Sequence, residues 1–337
     1  MDGDSWYFPL ASFGLVRQEA EEVPLGRLVR VAALAVVIGS MTVAYAEGAS
    51  PAAIGARAVD SGPSRRGPAL KSHVALVIDA ERGETLYAKH PAQVAPIASI
   101  TKLMTAMVVL DAQSPLDEII EIDHADVYTR KHTRSRLPVG ARLGRGELLL
   151  LALMASENRA ATALARTYPG GTAACLEAMN RKAKELGMLL TRFTDPAGLS
   201  GENVSSAEDL SRMVLAAIAY PAIREATTTS FHSLTLASGR VLEFQNTDGL
   251  VSNKTWKIGL SKTGYISEAG QCLVLHAEIA ARQVVIVLLN SWGTYTRLGD
   301  ANRIRKWMEA TVPPPATGRE AIPNAEPARA SGARSRP

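Results

Sequence analysis

Segments with the pattern of β-strands lie near both ends of the chain, and segments with the pattern of helices lie between them. Residues 74–78 and 84–88 are apolar or β-branched runs that flank a turn ending at Gly83, which predicts a hairpin. Strand-like runs return after Pro221 and continue to residue 289. The economical packing is one antiparallel sheet that joins the N-terminal hairpin to the C-terminal strands, with helices on its faces. The sequence therefore predicts the α+β class.

The helical middle forms a candidate inserted subdomain at about residues 115–220. Predicted helices cover 146–167, 172–186 and 206–219, and a last helix at 298–308 follows the strands. Residues 156–158 interrupt the first of them or lie at its bend. We expect one catalytic domain over residues 71–311, with a cleft between the sheet and the helical part.

The first 46 residues have the pattern of an export signal. Two arginines precede the apolar run 31–38, and residues 44–46 read Ala-Tyr-Ala, a small-residue cleavage site. The run is too short for a good transmembrane helix. Because residues 1–26 are acidic and contain aromatic side chains, which does not suit a charged leader, we expect translation to start later, near Val23.

Net charge and composition limit the classes of partner that the exported chain is expected to bind. Residues 1–46 contain five acidic and three basic residues, so their removal raises the formal net charge from +4 to +6, which suits an anionic cell wall. Nothing in the pattern indicates a nucleic-acid stripe. Residues 47–70 have the composition of a linker, and 312–337 form a Pro/Ala/Arg-rich tail that we expect to be disordered.

The strongest chemical signal begins at Ser99. Lys102 follows it three residues later at the start of a helix-like run, so both side chains lie on one face and the amine can reach the hydroxyl. A serine needs a base to remove its proton, and a lysine is a base only when burial or a nearby cation keeps it neutral. We interpret Ser99 as the nucleophile and Lys102 as its base.

Two later motifs complete a possible acyl-transfer site. Ser156-Glu157-Asn158 supplies a hydroxyl that can relay a proton to a leaving amine and an amide that can bind the substrate. Lys262-Thr263-Gly264 supplies a cation, a hydroxyl and a glycine that lets a substrate lie close to the backbone.

Charge and backbone donors fit the same chemistry. We expect Lys262 to hold a substrate carboxylate and to help keep Lys102 deprotonated. An oxyanion needs two backbone donors, and the N–H groups of Ser99 and Tyr265 are the candidates.

Other features of the sequence give weaker evidence of a reactive or binding site. Asp123, His124 and Asp126 are expected to form a polar surface turn, and we expect no metal and no cofactor. Cys175 and Cys272 are expected to be two buried free thiols, although an exported chain could pair them. The polar loop 128–136 is either a solvated loop or a rim that touches an anionic glycan peptide. Three aromatic side chains are expected to be packing groups: Trp292, Tyr295 and Trp307.

The three motifs, in this order, resemble the signature of serine penicillin-binding proteins and β-lactamases. From about His73 to Glu309 the chain is similar to the low-molecular-mass penicillin-binding proteins, the D-alanyl-D-alanine peptidases, and within them to the endopeptidases. The resemblance also rests on longer stretches, namely residues 132–140, 155–160, 261–270 and 296–304.

The resemblance implies a serine β-lactamase/DD-peptidase-like fold, with a five-stranded antiparallel sheet flanked by helices and an inserted all-helical subdomain. It implies hydrolysis of D-alanyl–diaminopimelate cross-links of peptidoglycan in a Gram-negative periplasm, covalent inhibition by β-lactams, and no stable membrane anchor. By motif position it assigns Ser99 as acyl-ester nucleophile, Lys102 as proton acceptor, Ser156 as third active-site residue and Lys262 as substrate binder.

Three alternatives stay open at this point. A D,D-carboxypeptidase is the nearest, but those relatives usually carry Asp where this chain has Arg159. A β-lactamase needs a deacylating carboxylate, and the class A spacing falls at Arg192, with only Asp195 nearby. A wall-binding scaffold that is acylated but does not turn over is the third.

Overall fold

The computed structural model describes residues 67–127 and 135–312. The export signal, most of the linker, most of the polar loop and the tail from residue 313 lie outside the described residues. None of the described helices has both the length and the apolar character that crossing a bilayer requires.

A five-stranded antiparallel sheet forms the centre of the described chain. The strands, in chain order, are β1 (Val74–Asp79), β2 (Thr85–Lys89), β3 (Ala95–Pro96), β4 (Ile119–Glu121), β5 (Arg142–Gly144), β6 (Val204–Ser205), β7 (Phe231–Thr235), β8 (Val241–Gln245), β9 (Lys257–Ile266), β10 (Gly270–Ile279) and β11 (Arg282–Ser291). The central sheet has the order β2-β1-β11-β10-β9, and Val74 pairs with Leu289 across β1 and β11. The predicted union of the N-terminal hairpin with the C-terminal strands, and the α+β class, are confirmed.

Seven described helices accompany the sheet. They are α1 (Thr101–Asp111), α2 (Arg145–Met154), α3 (Asn158–Arg166), α4 (Gly171–Glu185), α5 (Ala207–Ala217), α6 (Pro221–Thr228) and α7 (Thr296–Thr311). The expected return to strands directly after Pro221 is wrong, because α6 begins there. Proline suits the first helical position, where its missing N–H has no partner to lose.

Both faces of the central sheet are covered. Alternate residues of β1 point to opposite faces. Leu76 belongs to the core shared with α1 and α5, whereas Val77 belongs to the core shared with α7. This explains why all six residues of β1 are buried and why the strand is a continuous apolar run.

The remaining strands form small two-stranded sheets. β3 pairs with β6, β4 with β5, and β7 with β8. The β7–β8 hairpin is therefore separate from the central sheet. β9 is an edge strand of that sheet and lies against the 3-10 turn Ala98–Ile100, which we call the Ser99 turn.

Candidate active site

The Ser99 turn leads directly into α1 and carries the first motif. Ser99 lies in the turn, Lys102 lies in the first turn of α1, and both side chains are buried. The Nζ of Lys102 is 2.9 Å from the Oγ of Ser99. Ala98 adopts a positive φ of 49°, which directs the chain into this turn. The predicted pair is therefore in direct contact.

Burial changes the acid–base chemistry of Lys102. Its side chain is 1% exposed, and loss of hydration lowers its pKa from 10.5 to about 7, against the opposing charges of Asp195 and Glu157. The amine also lies 2.8 Å from Asn158 Oδ1 and 2.6 Å from the carbonyl oxygen of Ala197. A large fraction of this lysine is therefore neutral near pH 7.

A turn at residues 195–200, the Asp195 turn, positions Lys102 and was not part of the predicted site. The Asp195 carboxylate accepts backbone N–H groups from Ala197, Gly198, Leu199 and Ser200 at 2.6 to 3.1 Å. Asn203 ties the turn to α1, because its Nδ2 donates to Thr101 Oγ1 at 3.0 Å and to the Asp195 carbonyl at 2.8 Å. The Asp-Pro-Ala-Gly sequence signals a turn, but not its contact with Lys102.

Gly198 lets this turn pack directly against the backbone at Ser99. Its φ is +75°, and a Cβ there would be 2.0 Å from the carbonyl oxygen of Ala98 and 2.9 Å from the backbone N of Ser99. A side chain larger than hydrogen is therefore excluded by backbone atoms of the Ser99 turn.

The second motif lies at a sharp break between two helices. α2 ends at Met154 and α3 begins at Asn158, and Ser156 between them has a φ of +57°. The expected interruption of the long helical segment is thus present. The break turns the Ser156 hydroxyl toward β9, where Lys262 Nζ donates to its Oγ at 2.9 Å.

The third motif lies on β9, and its side chains are buried. Lys262 is 1% exposed and also donates to the carbonyl of Thr263 at 3.0 Å. The Thr263 hydroxyl is 2.6 Å from that of Thr247. A Cβ on Gly264 would be 2.9 Å from the carbonyl of Ile97 and 3.2 Å from the backbone N of Ser99. Glycine therefore lets the edge strand lie directly against the Ser99 turn.

Lys262 on β9 lies among three other buried or half-buried ionisable groups, Lys102, Arg297 and Asp248. Burial and repulsion from Lys102 and Arg297 lower the pKa of Lys262 well below its ordinary value, and the Asp248 charge opposes this. Burial, and not the charge of Lys262, lowers the pKa of Lys102, so the expected role of Lys262 in keeping Lys102 deprotonated stays a prediction. Arg297 Nη1 donates to the Gly264 carbonyl at 3.0 Å and to Gln271 Oε1.

Tyr265 follows the third motif and is exposed. The proximity of Gly264 to the Ser99 backbone N places the Tyr265 segment of β9 beside the start of the Ser99 turn. Since β9 is an edge strand, alternate backbone groups along it do not pair with β10.

The residues on either side of Asn158 hold the segment 135–137, and this was not predicted. Glu157 Oε1 accepts from Ser135 Oγ at 2.9 Å and from the backbone N of Arg136 at 2.6 Å. Arg159 Nη1 donates to the Leu137 carbonyl at 2.6 Å. The second motif therefore shapes a wall of the cleft as well as supplying its own side chains.

Two predictions outside the motifs can be compared with the structure. Trp292 and Tyr295 are 86% and 77% exposed, so the expectation that they are packing groups is wrong, whereas Trp307 packs against the core beside α7. Both lie in the short segment between β11 and α7, where Gly293 has a positive φ of 81°. Cys175 and Cys272 are both buried and free, as expected.

Known proteins match this arrangement in sequence and in structure. The D-alanyl-D-alanine carboxypeptidase family, peptidase family S11, matches residues 62–293. A D-alanyl-D-alanine endopeptidase of Pseudomonas aeruginosa is 44% identical over 83% of this chain and 88% of its own length. One from Escherichia coli K12 is 45% identical over 74% of this chain and 81% of its own length.

Solved structures of related proteins match this fold. The DD-transpeptidase of Streptomyces K15 superposes with a TM-score of 0.68 at 28% identity, over 73% of this chain and 99% of that chain. Penicillin-binding protein D2 of Listeria monocytogenes, in its ampicillin-bound form, gives 0.60 at 28% identity over 71% of this chain and 97% of that chain. The chain belongs to the D-alanyl-D-alanine carboxypeptidase family of serine peptidases, family S11.

Proposed function

We propose that the chain is a serine D,D-endopeptidase that hydrolyses D-alanyl–diaminopimelate cross-links of peptidoglycan through an acyl-enzyme on Ser99. The observation that carries the proposal is the convergence of the three motifs: Lys102 lies 2.9 Å from Ser99, and Lys262 lies 2.9 Å from Ser156. The endopeptidase relatives at 44% and 45% identity support the choice of bond.

Neutral Lys102 acts as the base in acylation. A neutral amine has two N–H groups and one lone pair. The oxygens of Asn158 and Ala197 can only accept, so they take the two N–H groups and leave the lone pair for the Ser99 hydroxyl. As Ser99 Oγ attacks the D-alanyl carbonyl carbon, its proton passes to Lys102.

The amide bond then breaks as Ser156 relays to the leaving amine the proton that Lys102 took from Ser99, which leaves Lys102 neutral again. Water later attacks the ester, its proton returns through Lys102, and Ser99 Oγ leaves with a proton as the hydroxyl. The backbone N–H groups of Ser99 and Tyr265 stabilise the oxyanion in both halves of the reaction, and losing one such donor costs about 3 kcal/mol.

Substrate binding uses the groups around these atoms. Asn158 Oδ1 is engaged by Lys102, so its Nδ2 is the donor for a substrate amide carbonyl. Lys262 and Thr263 hold the carboxylate next to the scissile amide, and that carboxylate would favour the charged form of Lys262. Gly264 keeps β9 close enough for the peptide to lie along the strand.

The chain acts outside the cytoplasm in this proposal. We infer that residues 1–46 are removed as an export signal and that the catalytic domain, residues 71–311, works in the periplasm without a stable membrane anchor. N-terminal sequencing of the precursor and of the mature protein tests the cleavage after Ala46; a precursor that begins at Met1 contradicts a start near Val23.

The proposal is tested by intact mass after incubation with labelled penicillin, followed by muropeptide digestion. Wild type should gain one penicilloyl group and Ser99→Ala none. Wild type should convert cross-linked dimers to monomers. Release of free D-alanine with dimers left intact would favour the carboxypeptidase alternative, in line with the family's name. Acylation without any digestion would favour the non-turnover alternative.

A further inference from the structure

A polar pocket of about 660 Å³ lies next to the proposed catalytic residues. Ser156 and Thr247 line it, and each of them contacts a residue of the third motif, Lys262 and Thr263 respectively. The pocket is therefore continuous with the cleft. A pocket of this volume can hold a ligand much larger than the methyl side chain of an alanine.

Two guanidinium groups line the pocket away from the third motif. Arg136 is held over the Phe244 ring at 5.4 Å, and its Nη1 donates to the carbonyl of Glu243 at 3.0 Å. Arg159 is held by its bond to Leu137. Both groups are thus positioned before any ligand binds. The carboxylate of Glu157 is turned toward the segment 135–137.

The hydrogen bonds of these arginines leave capacity for a ligand. Each guanidinium has five N–H groups, and the bonds described use only Nη1. Guanidinium groups bind carboxylates in a two-pronged geometry that lysine lacks. The walls of the pocket are therefore suited to an anionic, carboxylate-bearing group.

The position of the pocket relative to Ser156 indicates which part of a substrate enters it. If Ser156 protonates the leaving amine, the remainder of the leaving group extends beyond Ser156, into the space that this residue lines. A free D-alanine would fill little of that space. A diaminopimelate residue joined to a second peptide would extend into it and bring further carboxylates.

We propose that this pocket is a subsite for the leaving peptide strand of a cross-link, and that Arg136 and Arg159 pair with carboxylates of that strand. This inference rests on the proposed endopeptidase function and names the part of the substrate that distinguishes a cross-link from a terminal D-alanyl-D-alanine.

The test compares Arg136→Gln with Arg82→Gln, which removes a charge in the exposed β1–β2 turn. Arg136→Gln should lower kcat/KM on cross-linked dimers about tenfold, the effect of one charge-assisted hydrogen bond. Its penicillin acylation rate should stay at the wild-type value, because penicillin carries no second strand. Arg82→Gln should match wild type in both assays.

A change in the substrate identifies the paired group. Amidating the carboxylates of the leaving strand, except the one that Lys262 holds, should slow wild type by the factor lost in the double variant Arg136→Gln/Arg159→Gln and should slow that double variant no further. Arg159→Gln is a second variant with the same expectation. Dimer cleavage at wild-type rates by both variants overturns the subsite, as does an equal loss in the penicillin assay. Wild type that is acylated but leaves dimers intact instead refutes the endopeptidase function, and the subsite with it.

Discussion

Substituting Gly198 by alanine should disable Ser99, the proposed nucleophile, from a position outside all three motifs. The added Cβ would lie 2.0 Å from the Ala98 carbonyl oxygen, whereas non-bonded atoms rest at about 3.5 Å. The two turns must therefore separate by more than about 1 Å. Because Ala98 is bonded to Ser99, this separation moves the nucleophile. Misplacement of that size typically costs about 100-fold in rate.

The stability cost of Gly198→Ala has two parts. A φ of +75° costs an alanine about 1 kcal/mol relative to glycine. Overpacking against backbone adds about 1 to 3 kcal/mol. The free energy of unfolding should therefore fall by about 2 to 4 kcal/mol, measured by urea denaturation.

Gly239→Ala is the matched control. Gly239 has a φ of +79°, but no atom lies within 4 Å of its Cβ position. This variant should lose only about 1 kcal/mol of stability and should be acylated by labelled penicillin at the wild-type rate. The acylation assay is run well below the melting temperature of each variant, so that the comparison concerns folded protein.

Gly264→Ala tests the same turn from its other side. Its Cβ would be 2.9 Å from the Ile97 carbonyl and 3.2 Å from the Ser99 backbone N, without a positive φ. It should slow acylation with a smaller loss of stability than Gly198→Ala. Acylation of Gly198→Ala as fast as that of Gly239→Ala would show that the Asp195 turn does not position Ser99.

Three further outcomes are expected. The rate of penicillin acylation should rise with pH through about 7, because only neutral Lys102 accepts the Ser99 proton; a rate that falls over this range, in stopped-flow measurements from pH 5.5 to 9, contradicts this. The penicilloyl adduct should persist for hours by intact mass, since the Asp195 carboxylate is occupied by four backbone N–H groups; rapid nitrocefin turnover would argue against that. Burial raises the pKa of Cys175 to about 12 and of Cys272 to about 11, so a thiol reagent should titrate both only after unfolding, and fewer than two thiols in denatured, unreduced protein would indicate a disulfide.

The parts of the fold that could be predicted are those that depend on local pattern. Both ends carry apolar strand-like runs that need partners for their apolar faces, so their union in one sheet could be predicted. The reach of Lys102 to Ser99 follows from helical spacing, which is a local property. The helix at Pro221–Thr228 was not predicted, because its exposed polar residues and threonines weaken the apolar periodicity and tertiary contacts decide its state.

The contacts between motifs could not be predicted in detail. The sequence indicates that Ser156 and Lys262 share a cleft, but not that they are bonded partners 2.9 Å apart. Nothing in the sequence around Glu157, the middle residue of the second motif, predicts its hydrogen bonds to segment 135–137. Such contacts join residues far apart in the chain, so neither spacing nor periodicity records them.

The protonation state of Lys102 shows why motifs alone do not make the site. Burial sets its pKa, and burial comes from the packing of residues outside the S-x-x-K pattern. Its orientation depends on the carbonyl of Ala197, whose position is fixed by the Asp195 carboxylate. Without that turn, water would reach the Lys102 amine and the amine would become protonated. A protonated amine has no lone pair to accept the Ser99 proton. The chemistry of the three motifs thus depends on a fourth segment, the Asp195 turn, which contributes backbone groups rather than a reactive side chain.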